Sequence, residues 1–228
     1  MDDLSNPESE TDLPEGPTIS MPLRPTDLSR RHLLTLTGAG LLTGLAGCKR
    51  AEWHQGSDVT GASPALKFSS TRASDGRAVS QADYLGKTTL LYFGYTFCPD
   101  VCPLTLANIA QVLRNLGDEA DQVRVLFVTV DPDRDTLPIL AQYAELFAPQ
   151  VDALRGTEDE IAALARRYRV VYSVYPAEDD TEYEVSHSSA VYAFDPSGAA
   201  RVLYSKLSDP TADIAGITED LRAIMKGS

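Results

Sequence analysis

The sequence predicts an α/β sandwich, a central mixed β-sheet flanked by helices, formed by residues 64–228. Three observations lead to it. Uncharged runs of strand length alternate with segments whose apolar residues recur every three or four positions. Gly, Pro and Asp punctuate the boundaries, as in Asp75-Gly76, Gly86-Lys87 and Asp195-Pro196-Ser197-Gly198. About 165 residues make one domain, long enough to bury a core without covalent staples.

The first element is an N-terminal β-hairpin, since 66–70 and 78–80 flank Ser74-Asp75-Gly76-Arg77 and Asp-Gly favours a tight turn. Residues 88–92 read as a buried strand running into Phe93-Gly94-Tyr95-Thr96-Phe97-Cys98-Pro99-Asp100-Val101-Cys102-Pro103. Beyond it the period changes: Leu106, Ala110, Leu113 and Leu116 share a helical face, and Gly117 is placed to end the helix. Pro103 suits the first helical position, where its missing N–H costs nothing, so Cys102 falls at the cap. Residues 123–130 form a second strand, and 137–147 a helix capped by Thr136 with Leu140, Ala144 and Phe147 inward. Thr157 and Glu160 form a capping box for a third helix, striped by Ile161, Leu164, Ala165 and Tyr168. Strand-like segments follow at 169–175, 183–194 and 201–205. Asp209 caps a last helix opened by Pro210, with Ile214, Ile217, Leu221 and Met225 inward. Strands alternating with helices and ending in a hairpin and a helix give a sandwich of the thioredoxin type. The cysteine loop leaves the carboxyl end of its strand, where such sheets bind ligands.

Ahead of the domain, Asp2, Asp3, Glu8, Glu10, Asp12 and Glu15 crowd the first 20 residues without a Lys or Arg, too polar to bury a core. Ser29-Arg30-Arg31-His32 then opens an uncharged run that closes on Leu45-Ala46-Gly47-Cys48. A twin arginine, a short apolar stretch and small residues make an export signal, too short to span a membrane. Gly38, Gly40 and Gly44 argue against a core helix. Arg24, Arg30 and Arg31 follow Met21, which is the expected start of the signal. The segment resembles a twin-arginine lipoprotein signal, which implies cleavage before Cys48 and acylation of its sulfur. Residues 1–47 are thus read as leader and export signal, and 48–63 as a flexible tether. Such a coil spans about 20 Å on average and roughly 50 Å fully extended. The expected location is the extracytoplasmic, periplasmic face of a bacterial membrane, held by the lipid.

The net charge of −13 keeps the chain off nucleic acid and steers it toward basic partners. No phosphate-binding loop, Ser/His/Asp set or paired-carboxylate acid–base site is evident. With Cys48 acylated, the thiols left are Cys98 and Cys102. A structural disulfide across so short a loop contributes little, which favours a reactive or metal-binding pair. The helix terminus favours a thiolate there through free N–H groups and its dipole. His187 is the one histidine of the domain, and alone such a residue is more often structural. Two thiolates and one imidazole suit a soft ion such as Cu(I), whereas structural zinc normally takes four ligands. A peroxidase of the peroxiredoxin kind ranks last among the open classes, since Leu91 and Tyr95 stand where its frame needs Pro and Thr.

Gly94-Tyr95-Thr96-Phe97-Cys98-Pro99-Asp100-Val101-Cys102-Pro103, Val130-Asp131-Pro132-Asp133-Arg134-Asp135-Thr136 and Val185-Ser186-His187-Ser188 resemble the three signature segments of the Sco/SenC family, in order and spacing. The resemblance implies a thioredoxin-like copper chaperone for the dinuclear copper site of cytochrome c oxidase, a metallochaperone rather than an enzyme. It carries the ligand role for one copper ion, Cu(I) or Cu(II), onto Cys98, Cys102 and His187. The same cysteines form a redox pair able to reduce a disulfide between the client's cysteines. Implied partners are the copper-receiving oxidase subunit, another copper chaperone and a thiol reductant. The alternative is a thiol-disulfide oxidoreductase or redox sensor without obligatory copper delivery. Asp131 and Asp133 are candidates for an outer shell, while Asp135 is expected to cap the next helix or pair with Arg134. The acidic loop 178–182 is a candidate docking patch or lid beside His187.

Overall fold

The computed structural model describes residues 52–175 and 184–227. The leader with Cys48 and the acidic loop 178–182 lie outside the described residues. The elements are β1 (Ser57–Asp58), β2 (Ser69–Arg72), β3 (Ala78–Ser80), β4 (Thr88–Gly94), α1 (Val101–Leu116), β5 (Val123–Thr129), α2 (Leu137–Glu145), β6 (Val151–Arg155), α3 (Glu158–Arg167), β7 (Tyr172–Tyr175), β8 (Glu184–His187), β9 (Val191–Phe194), β10 (Ala200–Tyr204) and α4 (Ile214–Met225). Eight strands form one sheet in the order β1-β10-β9-β4-β5-β6-β2-β3. Its centre, β4, β5 and β6, is parallel, and the strands on either side pair antiparallel. Among the described residues, no helix is long and apolar enough to cross a membrane.

The continuous apolar run of β4 has a direct cause. Hydrogen-bonded to β5 and β9 and covered on its faces, it is buried along its whole length, with Leu91, Tyr92 and Phe93 fully inaccessible. Such a strand cannot alternate polar with apolar, because neither face meets water. Its C-terminal end delivers the cysteine loop, and α1 carries the chain back along the sheet. The α1 stripe is the expected one: Leu106, Ala110, Leu113 and Leu116 are buried, and Gly117 closes the helix at φ +58°. The Thr157–Glu160 capping box of α3 is present in both directions.

Several elements differ from the sequence reading. Strand β6 was not expected, since Asp152 and Arg155 break its pattern. Val151, Ala153 and Leu154 are nonetheless buried between β5 and β2, so the neighbours impose the strand that the local pattern conceals. The expected strand at 183–194 is two. Its first part, β8, pairs with β7 in a separate two-stranded ribbon, and its second, β9, joins the main sheet. One continuous strand cannot serve both. The last helix starts later than Asp209: Asp213 caps it by accepting from Gly216 N–H at 2.9 Å, while Asp209 closes the preceding turn onto Thr211 N–H.

Part of the stretch read as tether contributes to the fold. Trp53 packs against the core, and β1 pairs antiparallel with β10 at the sheet edge. The Asp220 carboxylate, buried on α4, accepts from the backbone N–H of His54 at 3.1 Å and lies 2.7 Å from its Nδ1. Gly56 is required here, because a Cβ would collide with Val202 and Tyr204 of β10. The small residues that read as linker are in part the consequence of close approach to a strand.

Candidate metal and redox centre

The site forms where β4 ends. Side chains two apart on a strand share a face, so Tyr92 and Gly94 both look toward α1. A Cβ on Gly94 would stand 2.7 Å from Cys102 Sγ and 2.6 Å from the Phe127 ring, so the missing side chain is the space that Cys102 occupies. The backbone of Gly94 is tied to the neighbouring strand end, its carbonyl accepting from Val130 N–H at 2.8 Å. Helix α1 begins at Val101, two residues before the expected Pro103, with Asp100 as its N-cap residue. Cys102 therefore sits inside the first turn, fully buried, and Cys98 lies in the loop ahead of it at 7% exposure.

Three ligand-type atoms converge. The sulfurs of Cys98 and Cys102, both free thiols, and one ring nitrogen of His187 all lie within 4.8 Å of one another. Cys102 Sγ is 3.1 Å from His187 Nε2. The Nδ1 of His187 is 3.1 Å from the Ser188 carbonyl. A carbonyl only accepts, so Nδ1 carries the proton and Nε2 turns its lone pair to the sulfurs, as a metal-binding imidazole requires. The ring is also held edge-on by Tyr95, 5.8 Å between centroids, and Tyr92, 6.0 Å. His187 ends β8, so ribbon and main sheet each contribute to the centre.

The two thiols are unlike. The Cys98 thiol is held below its ordinary value, first by a hydrogen bond with Cys102, then, against burial, by the backbone N–H groups of Asp100 and Cys102. The Cys102 thiol is pushed up by Cys98 and by burial. The shifts run in opposite directions because the Cys102 thiol donates to the Cys98 sulfur. The helix terminus thus serves Cys98, the outer sulfur, rather than Cys102.

The aspartates divide. Asp131 is buried and accepts from Arg134 Nε at 2.5 Å, and the Arg134 guanidinium lies over the rings of Tyr95 and Phe97, at 5.7 and 5.1 Å from their centroids. Asp133 is exposed. Neither joins the cluster of ligand atoms found among the described residues. Asp135 neither caps α2 nor pairs with Arg134 as expected. Fully buried, it accepts from the backbone N–H and hydroxyl of Thr96 and from the Thr129 hydroxyl at 2.6 Å, fastening the cysteine loop to the end of β5. Burial raises its pKa, opposed by those bonds. Tyr92 was also missed: its hydroxyl is 3.4 Å from Cys102 Sγ. An aromatic residue within an apolar strand gives no sequence signal of such a contact.

The profile of the SCO1/SenC family matches residues 63–225. The mitochondrial SCO2 homologue of Bos taurus is 44% identical over 133 residues, 58% of this chain and 50% of that protein. The SenC protein of Rhodobacter capsulatus is 34% identical over 143 residues, 62% of this chain and 64% of SenC. The crystal structure of Arabidopsis thaliana ScoI with copper bound is 32% identical, with a TM-score of 0.64, covering 72% of this chain and 99% of that one. The chain spans about half the length of the mammalian mitochondrial SCO2 homologues it matches. Its fold is the thioredoxin-like one of the solved Sco structures. With the profile covering nearly the whole described domain, the chain belongs to the SCO1/SenC family.

Proposed function

We propose that this protein is an extracytoplasmic copper metallochaperone. Cys98, Cys102 and His187 hold one copper ion as cargo and pass it to the copper-receiving subunit of cytochrome c oxidase. The convergence of two sulfurs and an imidazole nitrogen within 4.8 Å carries the reading. Two soft sulfurs favour Cu(I), the imidazole accepts either copper state, and three ligands leave a coordination edge open to an incoming thiolate. The copper-bound Arabidopsis relative supports the choice of metal. Cys98 is the sulfur that exchanges first, since it is the more exposed and the more fully ionised of the two. Oxidation of the pair to a disulfide removes two ligands at once and ends binding. Export, and anchoring through acylated Cys48, belong to the same proposal and keep the domain on the side where the client's copper site is built.

The low pKa of Cys98 favours a second reading, thiol-disulfide exchange with a client disulfide. One experiment separates the two: anaerobic competition of the reduced protein with a Cu(I) chelator, beside His187→Ala, Cys98→Ser and Cys102→Ser. One-to-one binding that weakens with every substitution is the expected result. If His187→Ala leaves binding of both copper states intact while a client disulfide is still reduced, the thiol reductase takes precedence.

A further inference from the structure

We propose that Tyr92 is a positioning residue for Cys102, a hydrogen-bond donor in the floor of the site that holds this sulfur in place and weakens its electron donation. The inference deepens the copper reading and rests on it in part. Its geometry comes from β4. Gly94 leaves a gap that the Cys102 sulfur fills, and Tyr92, two residues earlier on the same face, ends with its hydroxyl 3.4 Å from that sulfur. The phenol is fully buried, held between the rings of Phe127 at 5.9 Å and His187 at 6.0 Å. Sulfur accepts and the phenol donates.

Such a contact acts on electrons. A donor to a thiol or thiolate sulfur stabilises the reduced form over the disulfide, whose sulfurs are poorer acceptors, and lowers the charge the sulfur gives to a metal, as hydrogen bonds around ligating cysteines generally do. The dithiol is thereby favoured over the disulfide in the balanced exchange with glutathione disulfide. In that exchange two electrons leave Cys98 and Cys102, one sulfur–sulfur bond forms and another breaks, and two glutathione thiols are released, one taking its proton from the Cys102 thiol and the other from solvent. With copper bound, the same donor favours Cu(I) over Cu(II). Tyr92 thus keeps the pair in the state that can take up metal.

Tyr92→Phe removes one oxygen and leaves the ring. The comparison is Tyr143→Phe on α2, whose buried hydroxyl has no hydrogen-bond partner among the described residues and whose ring also packs on Phe127. Each variant and the parent are equilibrated with glutathione buffers without metal, and separately loaded with Cu(II) for absorption spectroscopy. Tyr92→Phe is expected to shift the equilibrium about three- to tenfold toward the disulfide, the range of one hydrogen bond, and to move the sulfur-to-copper band to longer wavelength. Tyr143→Phe moves neither. Full incorporation of 3-fluorotyrosine into the Tyr143→Phe protein, a stronger donor at position 92, shifts both readouts the opposite way. An unchanged equilibrium and band in folded Tyr92→Phe overturns the proposal, as do equal shifts in both variants. A parent that binds no copper yet shows the glutathione shift sinks the copper reading and leaves the role of Tyr92 standing.

Discussion

Among the described residues no cation pairs with the buried Asp135 carboxylate, and its place in the fold follows from what it accepts. The Thr96 N–H and hydroxyl and the Thr129 hydroxyl occupy its oxygens, so the loop carrying Cys98 is pinned two residues upstream of that thiol. Asp135→Ala leaves these donors unpaired in the interior and is expected to cost about 2–4 kcal/mol in urea unfolding, with weaker copper binding, while Asp135→Asn costs about 1 kcal/mol. A loss below about 0.5 kcal/mol for the alanine variant would show that the bonds are replaced by water. The sequence did not reveal this residue, because three aspartates and an arginine in Asp131-Pro132-Asp133-Arg134-Asp135 offer many equivalent pairings. Its decisive partner lies 39 residues away. The cysteines were legible because spacing and a strand-to-helix turn mark them locally. His187 was legible mainly through scarcity and resemblance, since its contact with Cys102 crosses 85 residues.

Strand β4 does more than support the loop. Where most strands fill both faces with side chains, this one ends in a glycine whose empty position admits a sulfur from α1. Its φ is not positive, so space rather than backbone conformation excludes other residues. Gly94→Ala is therefore expected to destabilise the reduced protein by about 1–3 kcal/mol through overpacking, and to weaken metal binding by displacing Cys102. Unfolding curves and the copper competition read the two effects; an unchanged affinity would show that the sulfur has room to move. Elements with their own periodicity or caps, β4, α1 and α3, were readable from the chain. Strand β6 and the division of 183–194 into β8 and β9 were not, because pairing partners decide them and no local pattern encodes a choice between two sheets.

Across the molecule, the N-terminal arm closes one edge of the sheet, and its lock carries a titratable group. The hydrogen bond that His54 donates to Asp220, then the charge of that carboxylate, holds the His54 imidazole above its ordinary value, aided by Asp213 and Glu219. A raised histidine pKa gives stability that is full below about pH 6.5 and is lost as pH rises through the raised value. The difference in melting temperature between the parent and His54→Ala should therefore shrink from pH 6 to pH 9. A difference independent of pH would assign the arm's hold to Trp53, β1 and the His54 backbone alone. The cleft of about 430 Å³ beside this lock, between His54, Asn115, Asp213 and Arg222, lies away from the cysteines, so the readout is not confounded by metal. The ribbon of β7 and β8 is a different kind of appendage. It brings His187 to the sulfurs yet shares no strand pairing with the sheet that carries them. The join between the two is made of side chains alone, Val185 buried in the core and the His187 ring against Tyr92 and Tyr95. A shift of the ribbon would therefore change the distance from imidazole to sulfur without breaking a rung of the main ladder, so the grip on a third ligand can be adjusted while the pair of thiols keeps its geometry.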